Sequence, residues 1–122
     1  MGGNYFIHDG EITVFDFADC IYGWFASDIA TTLYDAIYSS PRGTSLGNMD
    51  FAVHFIQHFW KGYDIQNHLS PSTKKQVSNF LRFKQMWMFI MHARYWDMNH
   101  LNNWQINLLE DIMNDIPDLK LS

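Results

Sequence analysis

Three aspartates, Asp16, Asp19 and Asp28, stand at the end of an apolar, β-branched run and just beyond it. Carboxylates so placed offer hard oxygen donors, the ligand type that magnesium prefers and commonly shares with phosphate. Loop aspartates also form turns and cap helices, and from residue type and spacing alone both readings stand. A second constellation is His54 and His58, four apart in a stretch of helical periodicity, a spacing at which two imidazoles can share a metal ion. No Glu stands between them in an HExxH pattern, and ordinary partly exposed histidines fit the same residues. His68, His92 and His100 have no patterned partners. Cys20 lacks a nearby base in sequence and reads as a buried, inert thiol. Met86, Trp87, Met88, Met91 and Trp96 recur at helical spacing and read as core filling rather than as a cofactor box.

The elements that must position these residues follow from pattern. Tyr5, Phe6 and Ile7 precede His8-Asp9-Gly10, and Ile12, Thr13, Val14 and Phe15 follow it. Asp-Gly between two such runs predicts a β-hairpin. From Ser27 the apolar positions Ile29, Ala30, Leu33, Ala36 and Ile37 predict a helix, with Ser27 or Asp28 near its start. Pro41 and Gly43 then mark a loop through Gly47. A second helix is expected from Asn48 or Asp50, carrying Phe51, Phe55, Ile56, Phe59 and Trp60 before Gly62 weakens it. A third opens after Ser70, which can cap, with Pro71 suited to the first turn. Its apolar residues, from Val77 and Phe80 through Trp87 and Ile90, wrap around much of the helix and predict burial on more than one side. A last helix covers about residues 102–114 and stops before Pro117.

The 122 residues provide for one core rather than two. Hydrophobic residues at 48% against 17% charged argue for a folded chain. The fold class expected is α+β, mainly helical. A single domain spans residues 1–122, with a hairpin over 1–22 packed on about four helices in 23–122. A net charge of −5, with basic residues scattered rather than striped, argues against nucleic acid. The longest apolar run, residues 86–91, is far too short to cross a bilayer, and the opening residues, Met1 to Tyr5, do not read as a secretion signal. With one cysteine and no zinc spacing, a cytoplasmic setting is the expectation.

The order of the signals is more specific than any one of them. Gly3-Asn4, an apolar strand and Asp9-Gly10 lead into Ile12-Thr13-Val14-Phe15-Asp16-Phe17-Ala18-Asp19, then Tyr22-Gly23 and Asp28-Ile29-Ala30. This resembles the aminoglycoside phosphotransferase family of kinase-like enzymes. In that family a His-Gly-Asp-Leu-His-Pro-Gly-Asn loop runs into a hairpin ending in Ile-Asp-Phe-Asp-Asp, followed by Tyr-Gly-x-x-x-x-Asp-Leu-Ala. By that resemblance Asn4 and Asp16 are magnesium ligands, folded toward each other by the hairpin between them. Asp28 matches the helix Asp that braces the catalytic loop. Asp19 matches an acidic position less tied to catalysis, which the resemblance places as a support behind the ligands. Ala18 departs from the usual second acid.

The same resemblance implies a catalytic Asp shortly before Asn4, a nucleotide-clamping lobe with a Gly-rich loop, and a phosphate-positioning Lys, and nothing here matches them. Phosphoryl transfer depends on positioning and charge stabilisation, which those parts largely supply. The expectation is therefore a truncated, split or internally initiated C-terminal fragment, about the last two-fifths of a typical member, and inactive alone. Magnesium and ATP are implied by resemblance only. The partner expected is a separate polypeptide carrying the first lobe or, in a non-catalytic alternative, a second copy in a homodimer joined through uncovered apolar surface.

Overall fold

The computed structural model describes residues 4–18, 21–38 and 48–115. It begins with β1 (Tyr5–His8) and β2 (Glu11–Val14), antiparallel, with Tyr5 opposite Val14, Phe6 opposite Thr13, Ile7 opposite Ile12 and His8 opposite Glu11. Asp9 and Gly10 have φ of 50° and 82°. Two consecutive positive φ values make the type I′ turn whose twist matches that of the strands it joins. The register sorts the side chains into two faces: Tyr5, Ile7, Ile12 and Val14 on one, Phe6, His8, Glu11 and Thr13 on the other.

Every strand residue is exposed, and none belongs to the helical core. The hairpin is therefore present as expected but is not packed on the helices as expected. Two four-residue strands enclose no interior of their own, and the helices bury their apolar stripes against each other. The segment after the hairpin does touch the helical body, where Trp24 lies 5.8 Å from Phe80, ring centre to ring centre.

Four helices follow: α1 (Phe25–Tyr38), α2 (Asn48–Gln66), α3 (Pro71–Tyr95) and α4 (Asn103–Asp115). In α1 the buried positions Ala26, Ile29, Ala30, Leu33, Tyr34 and Ile37 form one stripe at three- and four-residue spacing. That stripe makes the most extensive helix contact of the fold, with α3, where Val77, Leu81 and Gln85 are buried. Ala52 and Ile56 of α2 and Leu108 and Ile112 of α4 close the cluster. Full burial of a Leu or Ile such as Leu33, Leu81 or Ile112 contributes about 1.5–3 kcal/mol.

Local chemistry sets the helix ends. The Ser70 hydroxyl accepts from the Thr73 N–H at 3.1 Å with Pro71 at the first helical position, as the sequence predicts. Before α4, Asn102 Oδ1 accepts from the Gln105 N–H while Gln105 Oε1 accepts from the Asn102 N–H, both at 2.9 Å. This reciprocal box satisfies two backbone donors that a helix start otherwise leaves open.

Two expectations about the helices need correction. α2 runs through Gly62 to Gln66, because Tyr63 stacks on Phe59 and meets Trp60 edge-on across that turn and Lys74 grips Asp64 at 2.7 and 2.8 Å. Packing here outweighs the roughly 1 kcal/mol that a helical Gly forgoes. α3 is buried on one side rather than all round: Phe83, Met86, Trp87 and Ile90 are exposed. Of the presumed core fillers, Met88 and Trp96 pack against the core, whereas Met86 and Trp87 do not.

A polar chain joins all four helices. Gln85 Nε2 donates to the Tyr38 hydroxyl at 2.8 Å, Tyr38 donates to Asp115 Oδ2 at 2.6 Å, and Asn48 Nδ2 donates to the same oxygen at 2.8 Å. Gln85 is fully buried, and its Oε1 has no protein partner. Burial first, and the Asp115 hydrogen bond second, push the Tyr38 hydroxyl pKa well above its usual range.

Candidate functional site

The hairpin decides where the two predicted ligands stand. Beyond the Tyr5–Val14 pair, the Phe15 N–H donates to the Asn4 carbonyl at 3.0 Å, so the ladder continues with Asn4 opposite Phe15. Asp16 is the next residue along, and both Asn4 and Asp16 are exposed. The turn thus brings an amide and a carboxylate to adjacent positions at one end of one ribbon.

Asp16 also has φ of 64°, the left-handed conformation, in a residue other than Gly. That geometry costs an L residue roughly 1–2 kcal/mol, somewhat less for Asp, and turns the chain out of the strand. The β2 ladder therefore ends where the acid stands. Nothing in the composition announces this kink, and Asp tolerance of positive φ is the one signal that points to it.

The donor chemistry suits a hard cation, since both side chains offer oxygen. Among the described residues no group of three or more His, Cys, Asp or Glu is placed to hold a metal. Asn4 and Asp16 are thus two oxygen-bearing side chains at neighbouring positions, short of a closed cage of protein ligands.

Asp28 lies in the first turn of α1, where a carboxylate complements the exposed N–H groups of the helix start. Asp19 and Cys20 lie outside the described residues, as does the loop predicted over 39–47. His54 and His58 are both exposed on α2, their ring centres 4.4 Å apart. Two histidines without patterned partners in the sequence have neighbours in the fold. His100 Nδ1 lies 2.7 Å from Asp97 Oδ2, and that contact, with the Asn99 N–H, holds the Asp97 carboxyl below its usual range. His92 stacks on Trp96 at 4.1 Å, and its burial lowers the imidazole pKa. No described helix is long and apolar enough to cross a membrane.

No protein-family model matches the chain. Amicoumacin kinase of Bacillus subtilis (strain 168) is 32% identical over 114 residues, which are 93% of this chain and 34% of that protein. Among solved structures, amicoumacin kinase hAmiN in complex with AMP-PNP, Ca2+ and Ami matches with a TM-score of 0.75 at 30% identity, over 94% of this chain and 34% of that one. The chain spans about a third of the length of the curated relative it matches.

Proposed function

We propose that this chain, which resembles the C-terminal part of a kinase-like phosphotransferase in sequence and fold, supplies the metal-holding half of an ATP-dependent enzyme acting on a small-molecule hydroxyl or amine. The observation that carries the proposal is the hairpin pairing that sets Asn4 beside the left-handed Asp16. In this reading the two residues hold magnesium against ATP phosphates, where the ion neutralises charge on the transferring group. Asp28 braces the loop that ends at Asn4, and Asp19 supports the ligands from behind. The helices contribute to the substrate side.

No residue here matches the family's catalytic Asp or its nucleotide-clamping lobe, so the 122 residues alone are inactive in this reading. Activity requires those parts from outside this sequence, in a setting we take to be cytoplasmic. Titration with Mg-ATP tests this directly. The chain alone should give no binding heat and no turnover. Co-expression with a lobe carrying a His-Gly-Asp-Leu-His loop should restore ATP turnover, which Asp16→Asn then abolishes without altering the helical circular dichroism. Binding that ignores Asp16→Asn, or no turnover with any such lobe, overturns the proposal.

A second reading is supported by the exposed face of Tyr5, Ile7, Ile12 and Val14. Contiguous apolar surface of this kind drives association, and here the chain is a non-catalytic module that pairs with a second copy.

A further inference from the structure

The outer side of α2 carries a pair of groups that phosphoryl transfer does not use. Ala52 and Ile56 are buried while Phe55 and Phe59 pack against the core, so this helix is anchored along one side. His54 and His58 stand one turn apart and both are exposed. Their ring centres are 4.4 Å apart with the planes at 44°.

Spacing alone is a weak signal, but a hydrogen bond adds to it. His58 Nδ1 lies 2.9 Å from the backbone oxygen of His54. A carbonyl oxygen only accepts, so Nδ1 carries the hydrogen, and in the neutral ring Nε2 keeps its lone pair. Metal-ligating imidazoles are commonly held in this way, with the second nitrogen donating to a carbonyl that fixes tautomer and ring orientation. The His58 ring is therefore oriented with Nδ1 on the carbonyl and Nε2 left to meet an ion.

We propose that His54 and His58 together bind a divalent transition-metal ion, with Nε2 of His58 and a ring nitrogen of His54 as ligands. Imidazole selects zinc, nickel or copper, whereas magnesium and calcium take oxygen. This site is thus chemically separate from Asn4 and Asp16 and stands whether or not the phosphotransferase reading holds. Because no third His, Cys, Asp or Glu joins the pair among the described residues, water fills the remaining positions and the site is open to a further ligand.

The test is calorimetric titration of the whole chain with NiCl2 and with ZnCl2, together with long-range nitrogen–proton NMR spectra of the imidazoles. One equivalent should bind, the signals of His54 and His58 should move together, and His54→Gln or His58→Gln should each weaken binding by about tenfold or more, the gain that a linked second ligand provides. His100→Gln should leave the affinity unchanged, and MgCl2 should move neither ring. Gln is a good helix former and both positions are exposed, so circular dichroism should confirm that the variants fold. Movement of one ring without the other, or unchanged affinity in both variants, overturns the chelate.

Discussion

At the scale of single residues, Tyr38 has the widest reach. Its hydroxyl accepts from Gln85 and donates to Asp115, which also accepts from Asn48, so this hydroxyl and one carboxylate oxygen link the middle of α3 to the ends of α1, α2 and α4. Tyr38→Phe strands the Gln85 amide in the core and should cost about 1–3 kcal/mol, the usual penalty for a buried polar group left unpaired. The cost depends on Gln85: in a Gln85→Met background the same change should cost clearly less, because nothing is then stranded. Urea midpoints of the four proteins measure this coupling, and equal costs in both backgrounds would show that the hydroxyl acts alone. The same hydroxyl, with that of Tyr34, sets the alkaline limit. Burial raises both pKa values in the folded state. The stability held in the protonated rings is complete below the unfolded value of about 10 and is lost progressively as pH rises above it. Urea midpoints should accordingly fall between pH 9 and 11, and less so in Tyr38→Phe.

At the scale of elements, the hairpin and the helices are separately stabilised. Gly10 has φ of 82° and no atom within 4 Å of where a side chain would begin, so Gly10→Ala meets backbone strain without a clash. It should weaken the hairpin by about 1–2 kcal/mol. Amide exchange at Phe6 and Thr13 should accelerate, while protection in α1 and α3 and the thermal midpoint stay unchanged. A fall in the midpoint would mean that the hairpin contributes to the core after all. The elements that sequence alone made legible are those coded by local chemistry: Asp9-Gly10 at the turn, Ser70-Pro71 at the start of α3, and the stripe of α1. Gly62 misleads because the aromatic stack and the Lys74–Asp64 pair that carry α2 through it come from side chains whose meeting needs the fold. The all-round apolarity of α3 misleads for a related reason. Periodicity says that a face is apolar, whereas only the neighbours decide whether it is covered. The candidate site divides in the same way, since the adjacency of Asn4 and Asp16 follows from hairpin pairing, while the left-handed backbone of Asp16 has no counterpart in any pattern.

At the scale of the molecule, exposed apolar surface is spread over the hairpin, the segment after it and one face of α3. Besides the hairpin face of Tyr5, Ile7, Ile12 and Val14, the segment after it exposes Phe17, Ile21, Tyr22, Trp24 and Phe25, and α3 exposes Phe83, Met86, Trp87 and Ile90. The chain matches about a third of its relative's length, and water drives exposed apolar faces together. The two functional readings then differ in what does the covering: a nucleotide-binding lobe in one, a second copy in the other. Sedimentation of the 122-residue chain at micromolar concentration should show a dimer, and Ile7→Lys with Ile12→Lys, which puts two like charges directly opposite each other on one face, should return it to a monomer with unchanged helical content. A lobe that restores ATP turnover should compete with the dimer, because both need the end of the chain that carries Asn4 and Asp16. If the unaltered chain sediments as a monomer, the dimeric module is excluded and the phosphotransferase reading keeps its own test.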